Sequence, residues 1–558
     1  MIRMKKTLRR AALLSVVAVA AGFVGFTFAP SDEYFEISKN LDIFGKMYRE
    51  IHANYVDPVE PGKFMRTGMD AMLGSLDPYT NYISAAEIEE YRFTNTGQYG
   101  GIGAAVSRRD GKVIITEPYE GYPAATQGLR AGDEILKIDD LDLSRPEVAK
   151  TDVRELLHGA PNTPLRLLIR REGTADFTVN LNRADVKIKN VPYFGMIDNE
   201  TGYISLTGFM QGAGQEVRMA YEDLRRNNPG MKSLVLDLRG NPGGLLLEAV
   251  EISNLFVAQR EKIVETRGRT EGAYQAFYAE KPPLDLDMPL AVIVNRKSAS
   301  ASEIVSGVMQ DLDRGVIVGQ RSFGKGLVQN TKPLSFNTQI KLTTAKYYTP
   351  SGRCIQALDY SHRNDDGSVG KVPDSLVKAF PTKNGRTVYD GGGVMPDVEV
   401  KLPEYHAVVR ELVAQGILFD FATKYRNSHE TIPALSQFQV DDALYGEFVA
   451  YVNGRGFKYA TKTETELETL KKLMKEESYF DDMEKDIAAM EARIASEKAQ
   501  DLTTFKKEIS NLLRTEIIMR YHYKKGEYEA SFSTDPDVLE AVKVLKDQAR
   551  YKKILGKV

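Results

Sequence analysis

The sequence predicts an α/β protein with helical ends and a β-rich insert. Three observations carry this. Ser233–Phe256 and Leu290–Leu312 each read as an apolar strand, a polar or glycine-rich turn and a helix, the repeating unit of an α/β layer. Residues 93–185 change texture, to short alternating strands separated by glycine loops. Residues 34–92 and 403–558 place apolar side chains at helical spacing. The expected division is an export segment at 1–30, a helical segment at 31–92, a β-rich domain at 93–185, an α/β core at 186–402 and a helical extension at 403–558.

The chain has 558 residues and a formal net charge of -3. That balance gives no electrostatic reason to expect nucleic acid, and no finger or P-loop is present. The single cysteine, Cys354, rules out an intramolecular disulfide and a cysteine-rich metal site. Arg3, Lys5, Lys6, Arg9 and Arg10 precede an apolar run from Ala11 to Ala29, which is the pattern of an export signal. Thr27-Phe28-Ala29 is a fair cleavage site, although Pro30 follows it; the run is also nearly long enough to span a bilayer. Either outcome places residues 31–558 on the periplasmic side of a bacterial envelope, released or tethered by residues 11–29.

In the helical lead-in, Phe35, Ile37, Leu41, Phe44, Met47, Tyr48 and Ile51 form one face, and Phe64, Met65, Met69, Met72 and Leu73 a second. Further on, strands are expected at Val113–Thr116, Leu165–Arg170 and Phe177–Leu181, and a helix at Val148–Leu157. In the core, a strand is expected at Thr201–Phe209, a helix at Ala213–Arg225, a buried strand at Ser233–Leu238 and a helix at Leu245–Phe256. Residues 257–289 read as polar, with a break at Pro282-Pro283. Gln339–Tyr348 is a strand, and 357–389 a polar, turn-rich insert. His362 with Asp365 and Asp366 reads as a solvated loop rather than a metal site, and no cofactor is expected.

The chemistry concentrates in Leu290–Gln329. Leu290–Val294 is a buried strand; Ser298-Ala-Ser300-Ala-Ser302-Glu303 follows, then Ile304, Val305, Val308, Met309 and Leu312 at helical spacing. A serine there sits beside the unpaired amides of a helix start, where negative charge is stabilised. Acyl transfer needs such donors aimed at a developing oxyanion. A serine also needs a base. The histidines are His52, His158, His362, His406, His429 and His522, so none lies between Leu165 and Tyr360. Lysine is the other option, and Lys325 sits between two glycines in Phe323-Gly324-Lys325-Gly326, with Gln329 close behind. Flanking glycines allow close approach to another backbone.

These motifs resemble the catalytic core of the carboxyl-terminal processing proteases, tail-specific serine endopeptidases with a Ser–Lys dyad. The resemblance implies a crotonase/ClpP-like α/β core. It implies Ser300 as nucleophile, Lys325 as base and Gln329 as the residue that positions the base. The spacing of 25 from Ser300 to Lys325 is the family's. Arg239-Gly-Asn-Pro-Gly243-Gly244 matches the turn that supplies one oxyanion donor, from Gly243 or Gly244, with the Ala301 NH as the other. The similarity runs over roughly residues 40–402, through Thr349-Pro-Ser-Gly-Arg353 to Gly391–Val400, and implies a lid or substrate channel near 257–289.

The β-rich insert, with Gly100-Gly-Ile-Gly103 and the stretch from Pro123 to Ile138, resembles a PDZ domain. Its glycine loop would cradle a terminal carboxylate on NH groups, with Ile102, Gly103 and Ala104 as the cradle, while the strand edge takes the tail as an added strand. The partners expected are proteins or peptides with accessible C-termini. The C-terminal helices, beyond the reach of the resemblance, are candidates for homodimer contacts or for a regulatory adaptor.

For Lys325 to act as base, its amine must fall from about 10.4 toward roughly 7–8. A carboxylate at the amine would oppose that, so Glu303 is expected to face away or to pair elsewhere, with an arginine for example. Cys354 is expected to be a packed side chain. Three other readings compete. A non-catalytic scaffold that binds C-termini leaves the intact Ser300, Lys325 and Gln329 unexplained. A penicillin-binding type of enzyme needs S-x-x-K, which neither Ser298 nor Ser300 has. A crotonase-like acyl-CoA enzyme does not fit export and the PDZ-like insert.

Overall fold

The structure, a computed structural model, describes residues 32–148, 151–364, 366–401 and 404–557. The expected export segment at 1–30 lies outside the described residues. Among the described residues, those up to Tyr82 form one compact unit and those from Ile83 onward another. In the first, α1 (Asp32–Asn54) and α2 (Pro61–Gly74) form a helical pair. Pro61 opens α2, where a missing NH costs nothing. The Tyr48 hydroxyl donates to the Pro61 carbonyl at 2.6 Å, and its ring stacks on Phe64.

The second unit contains an antiparallel sheet in the order β1 (Ala104–Arg109), β2 (Lys112–Pro118), β3 (Glu134–Ile138), β4 (Pro164–Arg170), β5 (Phe177–Asn182). β1 is an edge strand of this sheet. The alternating residues Leu165, Leu167 and Ile169 of β4 point into one core with Val113, Ile115 and Ile135. The helix expected from Val148 is shorter. It is α3 (Val153–Leu157), started by Asp152, whose carboxylate accepts the Arg154 NH at 2.9 Å.

The core sheet runs β6 (Tyr193–Met196), β7 (Thr201–Ser205), β8 (Ser233–Asp237), β11 (Leu290–Val294), β12 (Val316–Gly319), β15 (Val398–Glu399), and only the β6–β7 pair is antiparallel. A parallel sheet covered on both faces has continuous apolar strands, and every residue of β8 and β11 is buried. On one face Leu234, Leu236, Leu290, Val292 and Val294 meet α4 (Ala213–Asn227), α5 (Leu246–Asn254) and α6 (Ala301–Asp311). The strand expected to run to Phe209 ends at Ser205, and Phe209 instead bridges to Gly244.

The segment 257–289 is not simply polar. It contains β9 (Lys262–Gly268) and β10 (Gln275–Tyr278), which pair antiparallel with each other. β9 also pairs with β14 (Gln339–Tyr348), and β14 with β13 (Leu327–Pro333). The polar reading missed β9 because Lys262, Glu265 and Arg267 surround only two large apolar residues, Ile263 and Val264.

The extension at 403–558 is helical where described and falls into three groups. Helices α7 (Ala407–Ala414), α8 (Ile417–Ser428), α9 (Asp442–Gly454) and α12 (Lys506–Ser531) share a core of their own. The pair α10 (Lys462–Glu476) and α11 (Phe480–Lys498) carries the expected Leu467–Met474 and Ile487–Ile494 faces. The last two helices, α13 (Pro536–Lys546) and α14 (Gln548–Ile554), cover the second face of the core sheet: Val538, Ala541, Val544 and Leu545 pack on Val235, Ala291, Ile293, Val316 and Val318. The Tyr551 hydroxyl accepts the Leu290 NH at 3.0 Å. The extension also reaches the first sheet of this unit, where Asp420 of α8 pairs with Arg109 of β1.

Candidate active site

β8 and β11 are parallel neighbours, so both deliver their following turns to one end of the sheet, the usual place for ligands in such layers. The turn after β11 carries the three serines, and the fold separates them. Ser298 is fully buried; its hydroxyl donates to the Leu238 carbonyl at 2.8 Å and accepts the Asn295 NH at 2.9 Å. Ser302 is also fully buried and donates to the Asn241 carbonyl at 2.9 Å. Ser300 is only partly buried and lines a cavity of about 1020 Å³. Its backbone sits at φ 55°, ψ −113°, immediately before α6. A side chain in that region costs about 1–3 kcal/mol and persists only where the surroundings over-determine it.

The turn after β8 supplies the surroundings. Asn241 is fully buried; its Nδ2 donates to the Leu206 carbonyl at 2.7 Å, and its own carbonyl takes the Ala299 NH at 3.0 Å as well as the Ser302 hydroxyl. Gly243 lies against the serine turn so closely that a Cβ there would sit 2.8 Å from the Ala301 nitrogen and 2.9 Å from Ser300 Cβ. The Gly243 NH donates to Asn241 Oδ1 at 2.9 Å, and its carbonyl accepts the Phe209 NH at 3.3 Å. Trans peptide geometry therefore turns the Gly244 NH away from Phe209.

Lys325 enters from the loop between β12 and β13. Its flanking glycines make the close approach that the sequence suggests: a Cβ on Gly324 would fall 2.4 Å from Ala357 Cβ, and one on Gly326 2.8 Å from the Gln356 nitrogen. Lys325 and Gln329 line the same cavity as Ser300, Ala301, Gly243 and Gly244. Gln329 Nε2 donates to Thr343 Oγ1 at 3.1 Å across the β13–β14 pair.

Glu303 does not pair with an arginine. It is fully buried, and its two oxygens accept four donors: the Ser300 NH (2.8 Å), the Lys325 NH (2.9 Å), the Gly324 NH (2.7 Å) and the Ser322 hydroxyl (2.5 Å). Burial pushes its carboxyl up to about 7, against those donors, which favour the charged form. Tyr347, also buried, donates its hydroxyl to the Ser300 carbonyl at 3.1 Å. Burial pushes the Cys354 thiol up, as expected of a packed side chain.

The sequence reasoning missed the structural parts played by Asn241, Glu303 and Tyr347. For Glu303 a signal existed: an acid three residues after a helix-starting serine is the spacing of a capping box, and its carboxylate does take the Ser300 NH. Ile102, Gly103 and Ala104 lie on the separate antiparallel sheet and its loop. Ile102 is buried in that sheet's core, and its carbonyl accepts the Ala124 NH at 2.8 Å. The Gly103 carbonyl accepts the Tyr119 NH at 2.8 Å.

Residues 200–362 match the model of peptidase family S41, 114–171 that of a PDZ domain, and 408–545 that of a probable PDZ-protease C-terminal helical domain. A carboxy-terminal-processing protease of Bartonella bacilliformis is 36% identical over 343 residues, spanning 61% of this chain and 75% of the relative. The carboxy-terminal processing protease CtpA of Bacillus subtilis is 31% identical over 316 residues, spanning 56% of this chain and 66% of the relative. A solved photosystem II D1 C-terminal processing protease is 25% identical, with a TM-score of 0.35, covering 64% of this chain and 92% of that one. By this identity and coverage the chain belongs to the carboxy-terminal processing proteases, a family of serine-type endopeptidases.

Proposed function

We propose that the chain hydrolyses peptide bonds near protein C-termini with Ser300 as nucleophile and Lys325 as base. The observation that carries this is the sorting of the three serines. Two are buried and engaged, while Ser300 alone is held in a strained conformation on the wall of the cavity that Lys325 also lines. Neutral Lys325 takes the Ser300 proton as the oxygen attacks the scissile carbonyl. The tetrahedral oxyanion is held by the NH groups of Ala301 and Gly244, Gly243 having already committed its NH to Asn241. Lys325 then protonates the leaving amine, and water resolves the acyl-enzyme with the same base. Gln329 positions the lysine from β13, the strand that its loop leads into.

Tail selection falls to the PDZ domain. The carbonyls of Ile102 and Gly103 are drawn inward, so the NH groups of Gly103 and Ala104 point the other way, toward the edge of β1. A terminal carboxylate on those amides and a tail along the edge strand is the recognition mode of such loops. In the same reading the core is crotonase/ClpP-like, supported by the mostly parallel sheet with helices on both faces. The division at 92, 185 and 402 belongs to this proposal, as does an envelope location behind a signal or anchor at 1–30. Homodimer or adaptor contacts would fall to the helices of 403–558.

The test is proteolysis of an unfolded protein with an apolar C-terminal tail by residues 31–558, beside Ser300→Ala and Lys325→Ala. Cleavage by the parent and by neither variant is expected. Cleavage that survives either substitution would remove the dyad.

A further inference from the structure

The turn that carries Gly243 and Gly244 is anchored from the far end of the chain. Arg239, two residues beyond β8, reaches Asp237 with Nη2 to Oδ2 at 2.6 Å, and with Nη1 reaches Asp535 at 2.9 Å and Asp537 at 3.1 Å. Both distant carboxylates belong to the start of α13. Asp535 is its cap, accepting the Asp537 and Val538 NH groups at 3.0 and 3.2 Å. A helix start favours negative charge. Asp537 is 1% exposed and is shared. Its second oxygen accepts Gln320 Nε2 at 3.0 Å, and Gln320 leads from β12 into the loop that holds Lys325. The Tyr203 hydroxyl donates to Asp237 at 2.6 Å and closes the cluster from β7.

One helical turn therefore grips the first residues of both loops that the dyad chemistry needs. The arrangement is more than glue between layers. The apolar contacts of α13 with the sheet already dock the helix, and a buried ion cluster is weak evidence for stability by itself. What the carboxylates add is direction: a planar guanidinium held by three carboxylates has one orientation, and so does the backbone that bears it.

We propose that Asp535 and Asp537 are positioning residues for peptide hydrolysis, setting the oxyanion turn through Arg239 and the lysine loop through Gln320. The helical extension is then a working part of the active site. This rests on the Ser300–Lys325 reading. Its consequence is that anything which moves α13 relative to the sheet changes the rate of the chemical step and leaves tail capture alone.

The experiment uses the full chain. The Asp535→Asn/Asp537→Asn variant, Asp537→Glu and Gln320→Met are compared with the parent for kcat and KM on a tailed peptide. Each is also compared for affinity toward a peptide boronate, whose tetrahedral adduct occupies the oxyanion site, and toward the product peptide. Rates are expressed per folded molecule from near-UV circular dichroism. The double variant is expected to lose about 10–100-fold in kcat and a similar factor in boronate affinity, with KM and product affinity within about twofold. Asp537→Glu should recover part of the rate. Gln320→Met cuts only the arm to the lysine loop and should lower kcat by several-fold; it serves as the deciding variant if the double variant does not fold. Unchanged kcat and boronate affinity per folded molecule, with only the melting temperature lowered, would overturn the positioning role. A parent that binds the tail but does not cleave would instead overturn the dyad beneath it.

Discussion

Ser300 and Lys325 are joined through their backbones. The NH of each donates to the same carboxylate oxygen, Glu303 Oε2, at 2.8 and 2.9 Å. The other oxygen of Glu303 holds Gly324 and Ser322 in the lysine loop. The proposed nucleophile and base are thus set relative to each other by one buried side chain.

Glu303→Gln tests that arrangement. The substituted amide keeps one oxygen but turns an NH₂ toward groups that are themselves mainly donors. A buried donor left unmatched costs about 1–3 kcal/mol. We expect a lower melting temperature and a kcat reduced about 10–100-fold, with KM nearly unchanged, because the spacing of the proposed dyad is disturbed rather than the proposed tail site. Steady-state kinetics beside a thermal melt measure both. A variant with parental kcat would show that the carboxylate serves packing alone.

The same residue gives stability a pH dependence. Burial raises its folded carboxyl to about 7 from 4.5, with the Tyr347 phenol as a close neighbour. The folded state therefore holds a proton that the unfolded chain has lost between those values. The contribution is fully present below about pH 4.5 and is lost as the pH rises through about 7, an effect on the order of 3 kcal/mol. Melting curves of Ser300→Ala and Ser300→Ala/Glu303→Gln, neither able to digest itself, are compared from pH 5 to 8. Their difference should change across this window as the glutamate form loses stability; a constant difference would contradict the shift.

The legible parts of the fold are those set by short-range pattern. The five apolar residues of β11, the glycine turn after β8 and the alternation of β4 each specify their element within a few residues. The serine and lysine motifs were readable for the same reason, lying 25 positions apart in one stretch. Partners brought in by the fold were not readable. Glu303 meets its lysine loop 19 to 22 residues on, and Arg239 finds Asp535 and Asp537 at separations of 296 and 298. One clue did exist. β11 has no polar face, so both of its faces needed a cover, and α4, α5 and α6 supply only one. The second cover had to come from elsewhere in the chain.

Gly103 gives a prediction for tail capture. It sits at φ +70°, and a Cβ there would fall 2.2 Å from Tyr122 Cβ. The Tyr122 hydroxyl is itself tied to the Lys187 backbone, so the ring has little room to yield. Gly103→Ala should therefore distort the proposed amide cradle. The expected result is a KM about tenfold higher for tailed substrates, equivalent to roughly 1.4 kcal/mol of binding, with kcat retained. Tailed and tail-deleted versions of one substrate make the measurement. An equal change for both would place the glycine's role in folding rather than in recognition.

Removal of residues 403–558 should abolish folding rather than release a smaller protease. It would strip α13 and α14 from Val235, Ala291, Ile293, Val316 and Val318, all fully buried now. The four β-branched side chains among them are each worth up to about 1.5–3 kcal/mol when buried, and the total stability of a domain is typically about 5–15 kcal/mol. The loss is of the same size as the whole. Solubility, near-UV circular dichroism and cleavage of a tailed substrate by the truncated chain provide the check, with Ile293→Ala in the full chain as a gentler probe of the same face. A soluble, monomeric and active truncated chain would show that the sheet tolerates an uncovered face, and that these helices are accessory to the core they now cover.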